Sequence, residues 1–308
     1  MKYGFETSYG YFHGQVDPYT HLYKTGVRTW HRNDEFIEEE GHATDLITNE
    51  AVRVIRDSGD DPFFLYVAYS VPHFPLDEPD KWLSMYKNVD SESRRWFDAS
   101  ITHADHGIGQ IVKALNETGK RENTLIVFLS DNGGQKSWHS EEQYHGRYAD
   151  KPHTVLGNNK PLRGWKGEVY EGGIRVPAFV NWPGVLKPGE LDAPIHIVDW
   201  MPTVCDAAGS RPPSKLKLDG KSVWPLITRE KSTVGSRTMY WKTPSMSAVR
   251  HGKWKLVVRD SDERTELYNL SKDPYEKVDL AEEHPEQVKE LKSILMKLCK
   301  DDRERGAD

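Results

Sequence analysis

One segment of the sequence offers two oxygen donors directly after an apolar run. Residues 125–129 read Leu-Ile-Val-Phe-Leu and are followed closely by Asp131 and Asn132. A carboxylate and an amide carbonyl are hard ligands of the kind that calcium and magnesium prefer. Gly133 and Gly134 come next, and glycines allow a sharp turn and the close approach of a ligand. The pattern predicts a metal site, although the same residues are also typical of a plain strand-ending turn.

A histidine and a cationic loop offer groups that act on an anion. His73 lies between Pro72 and Pro75, which stiffen the loop that carries it. An imidazole that titrates near neutrality can protonate a leaving group or hydrogen-bond an anion, and a structural role in the loop is the alternative. Residues 161–167 place Lys166 among glycines, an arrangement suited to oxyanions, unless Lys166 is an ordinary solvated lysine. Both segments are therefore candidates for an anion site.

The elements that must position these side chains alternate between helix and strand. Apolar residues form one stripe in residues 43–56 and another in residues 99–115, which predicts two amphipathic helices. Residues 63–69, 125–129 and 176–182 are apolar runs of strand length, typical of strands buried on both faces. Such alternation predicts an α/β fold with a mostly parallel central sheet. Ligands of open α/β sheets bind at the carboxyl ends of the strands, where the candidate residues lie.

The two ends of the chain differ from this middle part. The first forty residues are aromatic and dotted with glycine but show no period, which predicts a long ordered loop. The composition changes near residues 210–217, and beyond them short alternating strands precede a helix at about 285–300. We therefore predict a main domain over residues 1–235. A small antiparallel sheet with one helix forms a C-terminal subdomain over residues 236–308.

Composition excludes several classes of protein. The net charge of -6 does not indicate a protein that binds nucleic acid or an acidic membrane surface. No apolar run approaches the ~20 residues that span a bilayer. Cys205 and Cys299 are the only cysteines, which is too few for a disulfide framework. Residues 4–7 do not resemble the apolar part of a signal peptide.

Glu171 and Arg175 lie four residues apart just before the apolar run 176–182. We predict that they form an ion pair that fixes this loop.

Taken in order, these motifs resemble the sulfatase family, especially its arylsulfatase and N-acetylgalactosamine-sulfatase branch. Each motif is weak alone, but the ordered set is specific, and the similarity extends along essentially the whole chain. The matching segments are Val71-Pro72-His73, Asp131-Asn132-Gly133-Gly134, Leu162-Arg163-Gly164, Lys166-Gly167, Glu171-Gly172-Gly173, Arg175, 197–203, 250–255 and 266–270.

The resemblance implies an alkaline-phosphatase-like α/β sandwich with a small C-terminal sheet, the catalytic domain being residues 1–235. It implies that Asp131 and Asn132 bind one calcium ion. His73 and Lys166 are then the catalytic residues that contact the sulfate and the bridging oxygen. In family members a formylglycine made from cysteine or serine attacks sulfur, and calcium stabilises the developing charge.

Substrate contacts and partners follow from the same resemblance. Arg163, Trp138 and His139 are candidates for substrate binding, the latter two within an aromatic stretch that also fits an ordinary surface loop. The implied partners are a sulfated small molecule or glycan and a formylglycine-generating or anaerobic maturation enzyme. Neither nucleic acid nor a membrane span is expected. Family members are typically exported, so a periplasmic, extracellular or lysosomal location is expected.

The sequence departs from the family pattern at the nucleophile. Cys/Ser-x-Pro/Ala-x-Arg occurs nowhere in the 308 residues: neither Cys205 nor Cys299 fits, and Ser70 has Phe74 where arginine is required. We expect the pattern upstream of Met1, so that the chain holds about half of the site and alone hydrolyses no sulfate ester. Two alternatives remain: a non-catalytic protein that binds sulfated glycans, and a phosphodiesterase or phosphonate hydrolase of the same superfamily.

Overall fold

The chain forms two compact units in a computed structural model that describes residues 4–24, 26–136, 157–233, 235–262 and 264–305. Unit 1 comprises residues 1–124 and 135–158, and unit 2 comprises residues 125–134 and 159–308. The boundary between residues 235 and 236 lies within unit 2 and stays a prediction. Among the described residues, no helix is long and apolar enough to cross a membrane. Cys205 and Cys299 are both free thiols.

Unit 1 begins with two small antiparallel sheets where the sequence predicted only a loop. The strands are β1 (Tyr9–Tyr11), β2 (Leu22–Tyr23), β3 (Val27–Arg28), β4 (Trp30–Arg32) and β5 (Glu35–Phe36). One sheet has the order β1-β4-β5, and β2 pairs with β3. Strands of two or three residues are too short to show the alternation of period two by which a strand is recognised, which explains the difference.

Helices form the remaining regular structure in the described part of unit 1. They are α1 (Ala43–Asp57), α2 (Asp80–Leu83) and α3 (Glu92–Glu117), with 3-10 turns at Ser84–Tyr86 and Arg121–Asn123. A stripe at four-residue spacing is buried along α1, namely Ala43, Ile47, Ala51 and Ile55. The hydroxyl of Ser91 caps α3 by accepting the N–H of Arg94. The two predicted helices are confirmed, and α3 begins earlier than predicted because its first turns are polar.

Residues 63–69 form no strand in the described structure, contrary to the sequence-based expectation. Phe64 is 65% exposed and Tyr66 is 72% exposed. An apolar run marks a strand candidate, but a strand also requires a neighbour that accepts its backbone hydrogen bonds. No such neighbour is paired with this segment among the described residues.

Unit 2 contains one two-stranded sheet and one four-stranded sheet. Its first elements are β6 (Ile126–Leu129), α4 (Glu171–Ile174), β7 (Ala178–Asn181), a 3-10 turn (Ile197–Asp199), α5 (Trp200–Ala207) and α6 (Trp224–Ile227). β6 and β7 confirm two predicted strands. They pair antiparallel, with Val127 opposite Val180. All strand pairs in the described residues are antiparallel, so the parallel pairings that the alternation predicted are not among them.

The C-terminal part of unit 2 matches its prediction of an antiparallel sheet with one helix. The elements are β8 (Thr238–Lys242), β9 (Met246–His251), β10 (Trp254–Arg259), β11 (Thr265–Asn269) and α7 (Pro285–Arg305). The sheet order is β11-β10-β9-β8. Residues of α7 pack on one face of this sheet, and the core there consists of Val249, Leu256, Leu267, Leu291 and Leu295. Alternate residues of the strands are thereby left for the opposite face.

Candidate functional site

The two predicted calcium ligands lie in unit 2 directly after β6. Asp131 is exposed, whereas the following Gly133 is buried. The side-chain amide of Asn132 donates through Nδ2 to the carbonyl of Gly133, at 3.0 Å. This bond orients the amide, so that Oδ1 is the atom with which Asn132 can act as a ligand. The loop therefore carries one carboxylate and one amide carbonyl at the end of a strand, as predicted.

Backbone contacts join this loop to the cationic segment of the same unit. The N–H of Gly133 donates to the carbonyl of Gly173 at 2.9 Å, and the N–H of Lys166 donates to the carbonyl of Gly134 at 3.0 Å. A Cβ at Gly133 would lie 1.7 Å from the carbonyl oxygen of Gly172. The sequence suggested that the glycine allows a ligand to come close. In the structure, Gly133 instead allows the backbone of Gly172 to come close. The sequence motifs around residues 131–134 and 163–173 thus form one packed structure.

Asn159 is a positioning residue that the sequence reasoning missed. Its Oδ1 accepts the N–H of Gly134 at 2.8 Å, and its Nδ2 donates to the carbonyls of Gly134 and Gly164 at 3.0 Å each. One side chain therefore joins the loop after β6 to the loop of Lys166. An asparagine just before Pro161 reads as ordinary turn chemistry in the sequence, and only the fold shows which loops it bridges.

The segment that carries Lys166 is anchored on the C-terminal sheet. Val169 and Tyr170 are buried in one apolar cluster with Met246, Ala248 and Tyr268. Within each strand these sheet residues alternate with those that face α7, so the sheet has a helix on one side and the segment of Lys166 on the other. The C-terminal sheet therefore acts as a platform for the candidate site.

A buried ion cluster strengthens this anchor. Lys255 is fully buried, and its Nζ lies 2.8 Å from an Oε1 of Glu171 and 2.8 Å from an Oε1 of Glu276. Burial raises the pKa of Glu276 above its usual range, although Lys255 acts in the opposite direction. Glu171 pairs with Lys255, so the predicted ion pair with Arg175 is wrong. Sequence spacing favoured the near partner, whereas the fold provides a buried one 84 residues away.

Arg163 faces the same platform. Its guanidinium lies over the ring of Tyr170, 4.0 Å from the centroid, and donates to the Tyr268 hydroxyl and to the carbonyl of Glu276. These contacts stabilise the loop of Lys166 against the sheet. A direct role of Arg163 in substrate binding stays a prediction. Trp138 and His139, the other two candidates for substrate contact, lie outside the described residues.

His73 belongs to unit 1, whereas Asp131, Asn132 and Lys166 belong to unit 2. The Nδ1 of His73 donates to the carbonyl of Phe74 at 2.8 Å, and its backbone N–H donates to the carbonyl of Ser70 at 2.9 Å. The bond at Nδ1 sets the tautomer, so proton exchange with a bound group belongs to Nε2. Phe74 is buried, which fixes the loop on which His73 lies.

The donor set after β6 fits calcium in type. Calcium takes six to eight oxygen ligands, from carboxylates, carbonyls and waters. Asp131 and Asn132 supply two of these from a loop whose backbone is fixed by Gly133, Gly134 and Asn159. Histidine or thiol ligands, which would favour a transition metal, are absent from residues 130–134.

Two family models match the chain. The model described as "Sulfatase" matches residues 2–210, which is more than half of the sequence. The model described as "N-sulphoglucosamine sulphohydrolase, C-terminal" matches residues 164–303. The two matches overlap in the segment that carries Lys166 and cover nearly the whole chain.

Curated relatives come from animals and bacteria. Arylsulfatase J of Mus musculus is 28% identical over 94% of this chain and 55% of its own length. A sulfatase of Formosa agariphila is 31% identical over 80% of this chain and 47% of its own length. N-acetylgalactosamine-6-sulfatase of Rattus norvegicus is 28% identical over 83% of this chain and 48% of its own length. The chain thus spans about half the length of these relatives.

Solved structures similar to this chain support the predicted fold. The crystal structure of Ps i-CgsB in complex with k-i-k-neocarrahexaose has a TM-score of 0.80 and 27% identity, covering 94% of this chain and 65% of that chain. BT4656 in complex with D-glucosamine-2-N,6-O-disulfate has a TM-score of 0.70 and 19% identity, covering 96% and 76%. These similarities confirm the alkaline-phosphatase-like α/β class with its C-terminal antiparallel sheet. Because the sulfatase model also matches more than half of the sequence, the chain belongs to the sulfatase family.

Proposed function

We propose that the protein is a calcium-dependent sulfuric ester hydrolase that releases sulfate from an aryl or carbohydrate ester. The observation that carries the proposal is the packing of two motifs in unit 2. The loop of Asp131 and Asn132 and the loop of Lys166 share backbone hydrogen bonds and the side chain of Asn159. A cation site and a cationic side chain on adjoining loops suit an anionic substrate.

Each residue has a distinct role in this proposal. Asp131 and Asn132 would hold calcium, which when bound would supply positive charge next to the sulfate. Lys166 contributes a point charge toward the same anion. His73, with its Nδ1 proton held by the carbonyl of Phe74, gives a proton through Nε2 to the departing alcohol oxygen.

The formylglycine of the family is a further requirement of the proposal. Its precursor pattern, Cys/Ser-x-Pro/Ala-x-Arg, does not occur in the 308 residues. We therefore assign the attack on sulfur to no residue of this chain. A formylglycine-generating or anaerobic maturation enzyme is the corresponding partner in this proposal.

A carbohydrate sulfate is the substrate class that the named relatives support best. The rat relative is an N-acetylgalactosamine-6-sulfatase, and the 27% identical structure contains k-i-k-neocarrahexaose. Arylsulfatases are also among the relatives, so a simple aryl sulfate is a suitable test substrate.

The test compares an aryl sulfate with the matching aryl phosphate. Protein purified from its native source is assayed with calcium and again after the ion is removed and restored. The proposal predicts calcium-dependent release from the sulfate that clearly exceeds release from the phosphate. A preference for the phosphate would favour a phosphoryl-transfer enzyme instead, and hydrolysis of neither together with binding of sulfated glycans would favour a non-catalytic protein.

A further inference from the structure

A second group of metal-ligating side chains lies in unit 1, away from every motif used above. His42 precedes α1, Glu78 follows the loop of His73, and His103 lies in α3. One ligand atom from each of the three lies within 4.8 Å of the other two. We call these three residues the unit 1 cluster. Two imidazoles and a carboxylate are a ligand set that binds zinc in proteins.

The unit 1 cluster is buried. His42 is 4% exposed, His103 is 1% exposed and Glu78 is 0% exposed. The Nε2 of His42 lies 3.7 Å from Oε1 of Glu78, which is beyond hydrogen-bond distance. This nitrogen makes no hydrogen bond of good geometry in the described part of the chain, although the backbone carbonyl of Asp77 lies close enough to the ring to oppose the lowering of the pKa of His42 by burial. A buried nitrogen directed at a carboxylate without a bond is an arrangement that a cation between them would satisfy.

Asp45 supplies the outer contact that histidine ligands usually have. The Nδ1 of His103 lies 2.7 Å from Oε2 of Glu78, and its Nε2 lies 3.1 Å from Oδ1 of Asp45. A metal-ligating histidine typically donates its other ring N–H to a carboxylate, which sets the tautomer and the ring orientation. With Asp45 in that position, Nδ1 of His103 is the ligand atom.

We propose that His42, Glu78 and His103 form a binding site for a divalent transition metal ion, with zinc the ion that suits the ligands best. Nε2 of His42, Nδ1 of His103 and the Glu78 carboxylate are the ligands. The site joins the start of α1, the segment after His73 and the middle of α3. The two carboxylates of Glu78 and Asp45 balance the charge of the ion.

Two competing arrangements oppose metal binding. Nδ1 of His103 is hydrogen-bonded to Oε2 of Glu78 at 2.7 Å, and exchanging this bond to a charged group for a bond to the metal costs about 100-fold in affinity. Nδ1 of His42 accepts the N–H of Thr44 at 3.2 Å, and exchanging that bond costs about tenfold. Structural zinc sites reach dissociation constants of about 10⁻⁸ M or below. A loss of about 1,000-fold still leaves measurable affinity, at tens of micromolar or tighter.

The experiment is calorimetric titration of the untagged, chelator-treated 308-residue chain with zinc chloride at pH 7, with elemental analysis for bound zinc. We expect one zinc ion per chain, a dissociation constant of tens of micromolar or tighter, and no displacement by millimolar calcium. His103→Gln removes a ligand and lowers the affinity at least ~100-fold. His106→Gln, which removes an exposed imidazole from the same helix, leaves the affinity unchanged.

A second variant covers the case in which His103→Gln does not fold. Asp45 is partly exposed, and Asp45→Asn weakens the outer contact without emptying the core. We expect zinc affinity to fall by ~10–100-fold, the usual effect of changing such a contact. The absence of zinc binding, or equal affinities for wild type and both variants, would overturn the proposal. Neither result bears on sulfate hydrolysis, which is assayed separately.

Discussion

The loop after β6 and the unit 1 cluster both gather ligand groups, but they differ in chemistry and in burial. The loop offers oxygen donors only, and Asp131 is exposed to solvent. The unit 1 cluster offers two imidazole nitrogens and a carboxylate, and each of its residues is at least 96% buried. Hard oxygen donors suit calcium, and imidazole suits zinc. One chain therefore provides two candidate cation sites whose preferences should not overlap.

The supports of the two regions differ as well. Backbone-to-backbone hydrogen bonds and glycines without room for a Cβ hold the loop of Asp131. Side-chain hydrogen bonds from His103 to Glu78 and Asp45 hold the unit 1 cluster, and α1 contacts α3 beside it. Substitution of a glycine should therefore disrupt the first region, whereas substitution of a side chain should disrupt the second.

The largest effect that we expect is a complete loss of sulfatase activity in a chain that still binds metal. The 308-residue chain alone should bind zinc and yet release no sulfate from an aryl ester, because the nucleophile pattern is absent from its sequence. Titration calorimetry and a colorimetric sulfatase assay on the same preparation check this. Measurable turnover would show that another residue attacks sulfur.

In the native-source protein, Gly133→Ala should abolish calcium binding and leave zinc binding intact. The new Cβ would lie 1.7 Å from the carbonyl oxygen of Gly172, so the loop of Asp131 must move away from the loop of Lys166. Gly109→Ala is the matched control, since its Cβ would meet nothing within 4 Å in α3. Calorimetry with each metal gives the answer, and unchanged calcium affinity in Gly133→Ala would contradict the packing described for the site.

The two candidate sites can be compared only while unit 2 is folded. The buried ion pair of Asp199 and Arg237 contributes to the stability of that unit. Arg237 binds both carboxylate oxygens of fully buried Asp199, at 2.6 and 2.7 Å. Arg237→Ala leaves that carboxylate uncompensated and should cost ~3–5 kcal/mol in the free energy of unfolding. Arg53→Ala, at a pair in which Arg53 is 47% exposed and Glu50 is 13% exposed, should cost less, ~1 kcal/mol. Urea unfolding of both variants checks this, and equal costs would contradict it.

Acid should weaken the same pair. Burial alone would raise the pKa of Asp199, but the bonds from Arg237 and from two backbone N–H groups outweigh it and lower the pKa below the usual range. Its contribution to stability is therefore complete above the unfolded pKa of about 3.9 and is lost as pH falls through the lower folded value. Unfolding titrations in Asp199→Asn should lack this acid-dependent component.

Lys166→Ala should reduce turnover of the native-source enzyme at least ~100-fold, which corresponds to about 2.7 kcal/mol of lost transition-state stabilisation. Neither calcium nor zinc affinity should change, because Lys166 is a ligand in neither region. Lys187→Ala, at an exposed lysine of unit 2, serves as the control and should retain full activity. Wild-type rates in Lys166→Ala would remove this lysine from the site.

Local sequence patterns predicted several helices, the candidate calcium ligands and the family of this molecule. The period of apolar residues located α1 and α3, and the residues after β6 were recognised as candidate ligands before any fold was known. The order of the motifs indicated the family, which the family model confirms. Such features depend on residues close together in the chain, so the sequence alone displays them.

What the sequence did not reveal depends on distant partners. Asn159 bridges loops 25 residues apart, and Lys255 reaches Glu171 across 84 residues. His42, Glu78 and His103 come together because α1 and α2, whose starts lie next to His42 and Glu78, both pack against α3. In the sequence each of these looks like an ordinary polar residue, since nothing local distinguishes a buried ligand from a solvated one.

The central claim is that calcium held by Asp131 and Asn132 supports sulfate-ester hydrolysis. Its most direct test is the initial rate of aryl sulfate hydrolysis by the native-source protein as free calcium is varied, in wild type, Asp131→Ala and His103→Gln. We expect a rate that saturates with calcium in wild type, falls at least ~100-fold in Asp131→Ala, and keeps its calcium dependence in His103→Gln. A rate indifferent to calcium and to the loss of Asp131 would contradict it.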